Sequence, residues 1–357
     1  MDAKKIVEAF DFESEIISIN ERKSGHINST FFVNCEDGRY VVQRINRRIF
    51  KMPEEIMANL VGVTDHIRKK LLASGGDTKN GTLQFVKSGK NYYFVDDEGE
   101  YWRAYRFIDG DCHERCDSPA LFEHAGTAFG KFQQQLADYD PTTLFEAIPD
   151  FHNTVKRYEA LEAAVSADVA GRAADCAAEI AFIRARKSDC AFIVDGLASK
   201  KFPLRVTHND TKLNNVILSK ETGEGLCVID LDTVMPGSLL YDFGDAIRFG
   251  ASTAAEDEAD LSKVEISTEM FAAFTKGFVG SLAQSITKEE LLALPEATRI
   301  ITLEQGIRFL TDHLAGDTYF RIHRAGHNLD RARNQLKLVV DLEAKRDTLN
   351  AIVAAYL

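Results

Sequence analysis

The sequence predicts an α+β chain with two lobes, a small mixed-β lobe over residues 1–110 and a larger, mainly helical lobe over residues 111–357. Runs of β-rich residues separated by Gly-containing turns fill the first hundred positions. Beyond Gly110 the pattern changes to long alanine-rich segments with helical spacing, which one β-like island from Leu204 to about Ile229 interrupts. A chain of 357 residues with 45% hydrophobic content is also long enough to form two cores.

The small lobe is predicted to consist of short strands around one helix. Two β-rich runs, 29–34 and 39–45, flank Glu36-Asp37-Gly38, which is a good hairpin turn. After Pro53, a suitable first-turn residue, apolar side chains recur at helical spacing as far as Leu71. Further strand patterns occupy 15–19, 82–86, 92–95 and 101–108.

The larger lobe is predicted to be helical on both sides of the β-like island. Alanine-rich patterns at 119–136 and 160–183 indicate long helices. Within the island, apolar runs occupy 204–206, 216–218 and 226–229, and a Gly-containing turn joins the last two. The island therefore combines one short strand with a hairpin.

Composition and charge exclude several classes of protein. A net charge of −12 and a pI near 5.3 argue against nucleic-acid binding, which depends on neutralising phosphates. No stretch approaches the roughly 20 apolar residues that span a bilayer, and the amino terminus lacks the apolar segment of a signal peptide. The six cysteines are scattered, as in proteins of a reducing cytosol. We therefore expect a cytoplasmic protein with small-molecule ligands and neither nucleic-acid nor membrane partners; its oligomeric state stays open.

The island carries residues suited to phosphoryl transfer. The stretch RVTHNDTKLNNVIL, from Arg205 to Leu218, places Asn215 five residues after Asp210, and the apolar strand that follows the hairpin ends at Asp230. Transfer from MgATP needs an acceptor oxygen in line with the γ-phosphorus and Mg²⁺ held by oxygen ligands. Asp210 is therefore the candidate base, and Asn215 and Asp230 are the candidate magnesium ligands.

Three neighbouring residues are expected to support this set. His208 is predicted to brace the loop by hydrogen bonds. For Asp232, both an orienting role and a second metal contact remain open, because it lies close to Asp230 at the strand exit. The triplet Asp242-Phe243-Gly244 has the letters of the magnesium-binding triplet of protein kinases. It lies far from Asp210 in sequence and begins a helical pattern, so Asp230 and not Asp242 is the expected metal aspartate.

These motifs resemble those of the aminoglycoside phosphotransferase and choline kinase family. The segment His208-Asn209-Asp210 to Asn215 resembles the family's His-Gly-Asp…Asn loop, with Asn209 in place of the usual glycine. The pair Ile229-Asp230 resembles its metal-binding strand, and 237–242 resembles the segment that opens its next helix. In that segment Asp242 matches a helix-opening aspartate, which the resemblance implies supports the catalytic loop. The resemblance implies a protein-kinase-like two-lobe fold that uses ATP and Mg²⁺. Residues 1–110 would then form the nucleotide-binding lobe, and residues 111–357 would carry the catalytic loop and the acceptor site.

The resemblance is closer still to the members of this family that phosphorylate N-acetylhexosamines. The similar stretches are GHINST (25–30), LRVTHNDTKLNN (204–215), IDLDTVMPGSLLYDFGDAIRFGAST (229–253), IRFLTDHLAGDTYF (307–320) and GHNLDRARNQLKLV (326–339). This likeness implies phosphorylation of the anomeric hydroxyl of N-acetylglucosamine or N-acetylgalactosamine, with sugar contacts from His26, Arg308 and Tyr319. A loop, surface or core role for these three residues remains an alternative. Independently, a guanidinium at Arg308 suits a neutral acetamido sugar and would repel a cationic acceptor.

The nucleotide side departs from the usual kinase pattern. Gln43 stands where many kinases have a phosphate-binding lysine, and strand alternation directs Arg44 to the opposite face. The loop 25–28 contains one glycine, Gly25, to approach the phosphates. Gly25 and Gln43 are the expected nucleotide-binding residues. These departures leave open a nucleotide-binding regulator without catalysis. Within the enzyme class, a kinase for another small hydroxylated metabolite is a further alternative.

Overall fold

The computed structural model describes residues 2–21, 29–282 and 285–357. The chain forms two compact units: unit 1 contains Met1–Cys112, Asp138–Pro149 and Val216–Pro236, and unit 2 contains His113–Ala137, Asp150–Asn215 and Gly237–Leu357. Unit 1 has an antiparallel sheet and unit 2 is mainly helical, so the predicted α+β class is confirmed. The lobe boundary at residue 110 stays a prediction.

The elements follow one another along the chain as short strands first and mostly helices afterwards. The helices are α1 (Ala3–Glu8), α2 (Pro53–Ala73), α3 (Pro119–Gln135), α4 (Thr154–Ala167), α5 (Ala177–Arg184), α6 (Phe192–Ala198), α7 (Leu239–Gly250), α8 (Thr268–Leu282), α9 (Lys288–Leu314), α10 (His327–Ala344) and α11 (Arg346–Ala354). The strands are β1 (Ile16–Glu21), β2 (Thr30–Cys35), β3 (Gly38–Arg44), β4 (Phe85–Val86), β5 (Phe94–Val95), β6 (Tyr101–Arg106), β7 (Arg205–Thr207), β8 (Val216–Leu218), β9 (Gly225–Val228) and β10 (Met235–Gly237). Within the described ranges, no helix is long and apolar enough to cross a bilayer.

Unit 1 is built on an antiparallel sheet with the strand order β1-β2-β3-β6-β4, and β5 also pairs with β6. The β2–β3 hairpin turns at Glu36 and Asp37, with Cys35 opposite Gly38. Gly38 has a φ of +150°, and a Cβ added there would lie 2.9 Å from Nη2 of Arg106. The hairpin turn predicted from Glu36-Asp37-Gly38 is therefore confirmed, and it requires glycine at its third position.

The two faces of this sheet have different surroundings. One face packs on α1, and the core between them consists of Ile6, Val7, Phe10, Phe31, Val33, Cys35, Tyr40, Val42, Trp102 and Ala104. Gln43 on β3 lies opposite Arg103 on β6. Because successive residues of a strand point to opposite faces, these two side chains lie on the face away from that core. Unit 1 thus has one apolar face and one face that carries polar groups.

In unit 2, α3 and α8 approach each other through glycines. A Cβ on Gly126 or Gly130 would lie 2.5 Å from the carbonyl oxygens of Phe274 and Phe278, respectively. Beside this crossing, the aromatic rings in contact are those of Phe122, Phe243, Phe271, Phe274 and Phe278. Since Phe243 belongs to α7, this cluster fixes the position of α7 against α3 and α8.

The helical pattern at 160–183 does not form one continuous helix, which corrects the sequence-based prediction. Helix α4 ends at Ala167, and Asp168 adopts a left-handed backbone with a φ of 38°. Its Oδ1 accepts hydrogen bonds from the backbone N–H groups of Arg172 and Ala173, at 2.8 and 3.0 Å. Such local side-chain bonds compete with helical ones, so α5 begins only at Ala177.

We expect Gly277→Ala, on α8, to lower the melting temperature. The added methyl group would press on the carbonyl oxygen of Glu123 and lie 2.7 Å from the backbone nitrogen of Thr127, both on α3. Overpacking of this kind costs about 1–3 kcal/mol, which corresponds to a fall of about 1–4 °C in the melting temperature measured by differential scanning calorimetry. The matched control is Gly280→Ala on the same helix, where a Cβ meets nothing within 4 Å. An equal loss of stability in both variants would contradict the close helix contact.

Candidate active site

The loop 208–215 follows β7 and contains the predicted base Asp210, the predicted metal ligand Asn215 and His208. His208 is fully buried, and its ring contacts the rings of Phe129 and Phe132 edge-on, at centroid distances of 5.7 and 6.0 Å. Its Nδ1 accepts a hydrogen bond of 3.3 Å from the backbone nitrogen of Asp210. Asn209 has a φ of 66°, a left-handed conformation that asparagine tolerates better than most residues other than glycine. The loop therefore turns sharply just before Asp210.

A single buried carboxylate holds the start of this loop. Asp242, in the first turn of α7, is 1% exposed and accepts hydrogen bonds from the backbone nitrogens of His208 and Asn209, at 3.0 and 2.7 Å. It also accepts a hydrogen bond of 2.6 Å from Nε2 of Gln133 on α3. Burial raises the pKa of Asp242 above its usual value, although the bonds that it accepts act in the opposite direction. Asp242 thus determines the backbone path of the loop through buried hydrogen bonds.

The carboxylate of Asp210 is held by two neighbours within the loop. Nδ2 of Asn215 donates to the backbone oxygen of Asp210 at 2.8 Å and to its Oδ2 at 3.3 Å. Nζ of Lys212 lies 2.7 Å from Oδ1 of Asp210. The Asp210 side chain remains 28% exposed, so it is positioned and still reachable. Because the amide nitrogen of Asn215 faces Asp210, its amide oxygen points elsewhere and suits a hard cation such as Mg²⁺.

Lys212 is a site residue that the sequence reasoning missed. Burial alone would lower the pKa of Lys212, but the charges of Asp210 and Asp245 outweigh it and raise that pKa. Asp245 in turn accepts hydrogen bonds from the backbone nitrogen of Thr211 at 3.1 Å and from Nη2 of Arg248 at 2.8 Å. Lys212 is therefore a cation fixed beside the candidate base. The signal was present in the Asp-Thr-Lys spacing of the loop.

The predicted metal segment belongs to unit 1. Strands β8 and β9 form an antiparallel hairpin in which Val216 lies opposite Val228. Asn215 precedes β8 directly, and Asp230 is the second residue after β9. Asp230 is exposed and has a φ of 58°, which ends the strand and starts a short 3₁₀ turn at Leu231. The chain thus leaves the hairpin at a residue that presents its carboxylate to the outside.

Gln43 and Asp232, also in unit 1, are connected by an arginine that the sequence reasoning missed. Arg103 donates to Oε1 of Gln43 from Nε at 3.2 Å and from Nη2 at 2.8 Å. The same guanidinium forms a two-point ion pair with Asp232, in which Nη2 and Oδ2 are 3.0 Å apart. Arg103 and Asp232 are each 4% exposed. No local pattern indicates this pair, because its members are 129 residues apart.

Two of the predicted sugar contacts lie together in unit 2. The guanidinium of Arg308, on α9, lies over the rings of Phe151 and Phe320, 5.0 and 5.6 Å from their centroids. Tyr319 is 64% exposed, and its ring contacts that of Phe320 at 4.8 Å. Asp312 fixes this segment by accepting hydrogen bonds from the backbone nitrogens of 318, 319 and 320. The other predicted ligand residues, Gly25 and His26, lie outside the described residues.

Further charged groups surround Arg308. One helical turn earlier, the buried Glu304 lies 2.7 Å from Nδ1 of His152 and accepts a hydrogen bond of 2.6 Å from Thr154 Oγ1. Arg157 donates to the backbone oxygen of Phe151 at 2.7 Å. Burial lowers the pKa of Arg157, and the nearby charge of Arg308 lowers it further. Two guanidinium groups therefore share this region of unit 2.

We expect Asp242→Asn to destabilise the protein and to reduce turnover at the same time. The variant amide would bring an NH₂ group to face N–H donors, and a buried polar group without a partner costs about 1–3 kcal/mol. Calorimetry should therefore show a melting temperature lower by several degrees. The control is Asp195→Asn on the exposed face of α6, which should change neither quantity. An unchanged melting temperature with loss of magnesium dependence would instead identify Asp242 as a metal ligand.

Comparison with known proteins places this geometry in a family. Residues 18–267 match the family model described as "Phosphotransferase enzyme family". The chain also resembles solved structures over nearly its full length. One is an aminoglycoside phosphotransferase from Alicyclobacillus acidocaldarius, with 13% identity, a TM-score of 0.64, and coverage of 98% of this chain and 97% of that chain.

Two further structures support the same fold. A spectinomycin phosphotransferase in complex with ADP and spectinomycin has 14% identity and a TM-score of 0.55, covering 97% of this chain and 99% of that one. A choline kinase from Cryptosporidium parvum has 14% identity and a TM-score of 0.54, covering 95% of this chain and 92% of that one. These likenesses confirm the predicted protein-kinase-like fold. Because the family model spans well over half of its residues, the chain belongs to the phosphotransferase enzyme family.

Proposed function

We propose that this phosphotransferase is an N-acetylhexosamine 1-kinase, which transfers the γ-phosphoryl group of ATP to the anomeric hydroxyl of N-acetylglucosamine or N-acetylgalactosamine. The observation that carries the transfer is the position of Asp210, fixed by Asn215 and Lys212 yet partly exposed. The observation that carries the sugar is that Arg308 and the exposed Tyr319 both contact the ring of Phe320. Residues 1–110 would bind the nucleotide, and residues 111–357 would bind the sugar.

In the proposed reaction Asp210 is the general base. It accepts the proton of the anomeric hydroxyl while that oxygen forms a bond to the γ-phosphorus, and the bond from this phosphorus to the bridging oxygen of ADP breaks. An anomeric hydroxyl is more acidic than an ordinary alcohol, so a well-placed carboxylate is sufficient. The ammonium of Lys212 lies beside Asp210 and would offset the negative charge of a phosphoryl group brought there.

Asn215 and Asp230 are the proposed magnesium ligands. Asn215 would offer its amide oxygen, which is directed away from Asp210, and Asp230 is an exposed residue that would offer its carboxylate. Amide and carboxylate oxygens are the ligands that Mg²⁺ prefers in proteins. When bound, Mg²⁺ would neutralise negative charge on the phosphates of ATP. The sequence positions of these residues, at the two ends of the β8–β9 hairpin, support the assignment. Asp232 is committed to Arg103, which favours an orienting role over a direct metal contact.

The charges near Arg308 support a neutral acceptor. Arg157 and Arg308 lie close enough for the charge of one to affect the pKa of the other. A cationic acceptor such as choline or an aminoglycoside would be repelled there, whereas an acetamido carbonyl can accept a hydrogen bond from a guanidinium. Tyr319 offers a ring and a hydroxyl to a sugar, and His26 is the third proposed sugar contact. Gly25 and Gln43 are the proposed nucleotide contacts.

Two alternatives are less well supported. A nucleotide-binding regulator without catalysis would have no need for Asp210, Asn215 and Asp230 together, yet all three are present. A kinase for another small hydroxylated metabolite would share the same catalytic loop and differ at the acceptor. An experiment that compares acceptors therefore distinguishes the two kinase functions.

We expect ADP release with Mg²⁺, ATP and either N-acetylhexosamine, and much less with choline or an aminoglycoside, measured in a coupled assay. The methyl glycoside of N-acetylglucosamine should not be phosphorylated, because its anomeric oxygen carries no proton. The Asp210→Asn variant serves as the inactive control, since it keeps the size of the side chain and loses the base. Full activity on the methyl glycoside would overturn the 1-kinase assignment. Preference for choline would instead support the alternative, a kinase for another small hydroxylated metabolite.

We expect Arg308→Ala to raise the KM for N-acetylglucosamine by about ten-fold or more, since hydrogen bonds to charged groups contribute about 1.5–3 kcal/mol. The KM for ATP should change by less than about two-fold, because only acceptor binding is altered. The matched control is Arg324→Ala, which removes a surface guanidinium paired with Asp330 in the same region of sequence. If the KM for the sugar stayed the same, Arg308 would not be a sugar contact.

A further inference from the structure

The cation that many kinases place on the third strand is missing from the expected position. In protein kinases that lysine binds the α- and β-phosphates and pairs with a carboxylate of a helix. Here β3 carries Gln43, a neutral side chain, and Arg44 lies opposite Trp102, on the face that packs on α1. A triphosphate needs positive charge on the face of the sheet that it approaches. Within unit 1, the neighbouring strand provides such a charge.

Gln43 and Arg103 form one cross-strand pair. They are direct neighbours in the antiparallel register of β3 and β6, so their side chains leave the sheet on the same face. The guanidinium binds Oε1 of Gln43 through two nitrogens, at 2.8 and 3.2 Å. Because the amide oxygen is held in this way, the Nε2 donor of Gln43 is turned away from Arg103. Gln43 is only partly buried, whereas Arg103 is 4% exposed.

We propose that Arg103 replaces the missing lysine from the adjacent strand: its guanidinium supplies the positive charge and orients the amide of Gln43, which donates to the nucleotide phosphates. Arg103 is thus a positioning residue that acts through Gln43, and Gln43 is the group that touches the ligand. This inference rests on the proposed use of ATP. It extends the proposed function by naming how a chain without the strand-three lysine holds a triphosphate.

The ion pair with Asp232 fits this role. A buried guanidinium needs a partner to stay charged, and the two-point contact with Asp232 provides it. Burial alone would lower the pKa of Arg103, but the charge of Asp232 raises it, and the charge of Asp230 contributes in the same direction. The guanidinium of Arg103 therefore lies near enough to Asp230, the proposed magnesium ligand, for their charges to interact. The pair of Arg103 with Asp232 takes the place of the lysine–carboxylate pair of other kinases.

The test is the equilibrium affinity for a non-hydrolysable ATP analogue, adenylyl imidodiphosphate, measured with Mg²⁺ by calorimetry and without any sugar. Adenosine, which has no phosphates, is the control ligand. Gln43→Met keeps the length of the side chain and the Arg103–Asp232 pair and removes only the amide. Arg103→Gln removes the charge, and the exchange variant Gln43→Lys/Arg103→Gln moves the cation back to β3. Arg106→Gln is the matched control, because Arg106 lies on the same strand, on the opposite face, and pairs with Asp37.

We expect Gln43→Met and Arg103→Gln to weaken binding of the analogue by about ten- to a hundred-fold. Gln43→Met removes the amide that donates to the phosphates, and Arg103→Gln removes the positive charge that orients this amide. Adenosine affinity should stay within about two-fold of the original value, and the exchange variant should recover most of the loss. Arg106→Gln should bind both ligands as before. Melting temperatures recorded in parallel separate these effects from a loss of folded protein.

Two outcomes would overturn the inference. One is unchanged affinity for the analogue in Gln43→Met. The other is an exchange variant that folds but binds the analogue no better than Arg103→Gln alone. If the unaltered protein bound neither the analogue nor adenosine, the use of ATP itself would fail, and the inference with it. A protein that binds the analogue but phosphorylates no N-acetylhexosamine would refute only the proposed acceptor, since these affinities are measured without sugar.

Discussion

The backbone of the loop 208–215 turns through the interior of unit 2, and its first two N–H groups share one acceptor, the carboxylate of Asp242. Backbone donors that are buried without a partner are costly, so this carboxylate determines the path that the loop can take. The carboxylate of Asp242 also accepts a hydrogen bond from Gln133 of α3. Helix α7, which carries Asp242, is held in place by the phenylalanine cluster around Phe243. The position of Asp210 therefore depends on the packing of α3, α7 and α8 as well as on the loop itself.

Local patterns predicted the parts of the fold that local chemistry determines. The β2–β3 hairpin, the helix that starts at Pro53 and the strands of the island follow from turn residues and from hydrophobic spacing, and the structure contains them. The short helix α1 and the break at Asp168 were missed, because one depends on tertiary packing and the other on side-chain bonds to the backbone. Arg103 and Gln133 were missed for another reason. Their partners are 129 and 109 residues away, and no periodicity encodes such distances.

The electrostatics of the chain are local. With a net charge of −12, the protein as a whole repels an anion such as ATP. Attraction of the phosphates must therefore come from a few positive side chains placed at the site. Lys212 and Arg103 each lie beside a carboxylate that keeps them charged, and each is held by the surrounding structure. Such pairs are screened less by salt than exposed charges are. In the proposed arrangement, this chain would recognise phosphates without a lysine on β3, because the neighbouring strand supplies the charge.

The left-handed backbone at Asn209 has a consequence for the divergence of such sequences. At a φ of 66° most side chains are strained, and asparagine, aspartate and glycine are the residues that fit most easily. The position therefore needs a residue that tolerates this backbone, and the asparagine amide adds a hydrogen bond of 3.3 Å to the backbone oxygen of Thr207. A search pattern that demands glycine between the histidine and the aspartate would overlook chains like this one, whereas a pattern that admits any residue tolerant of the turn would retrieve them.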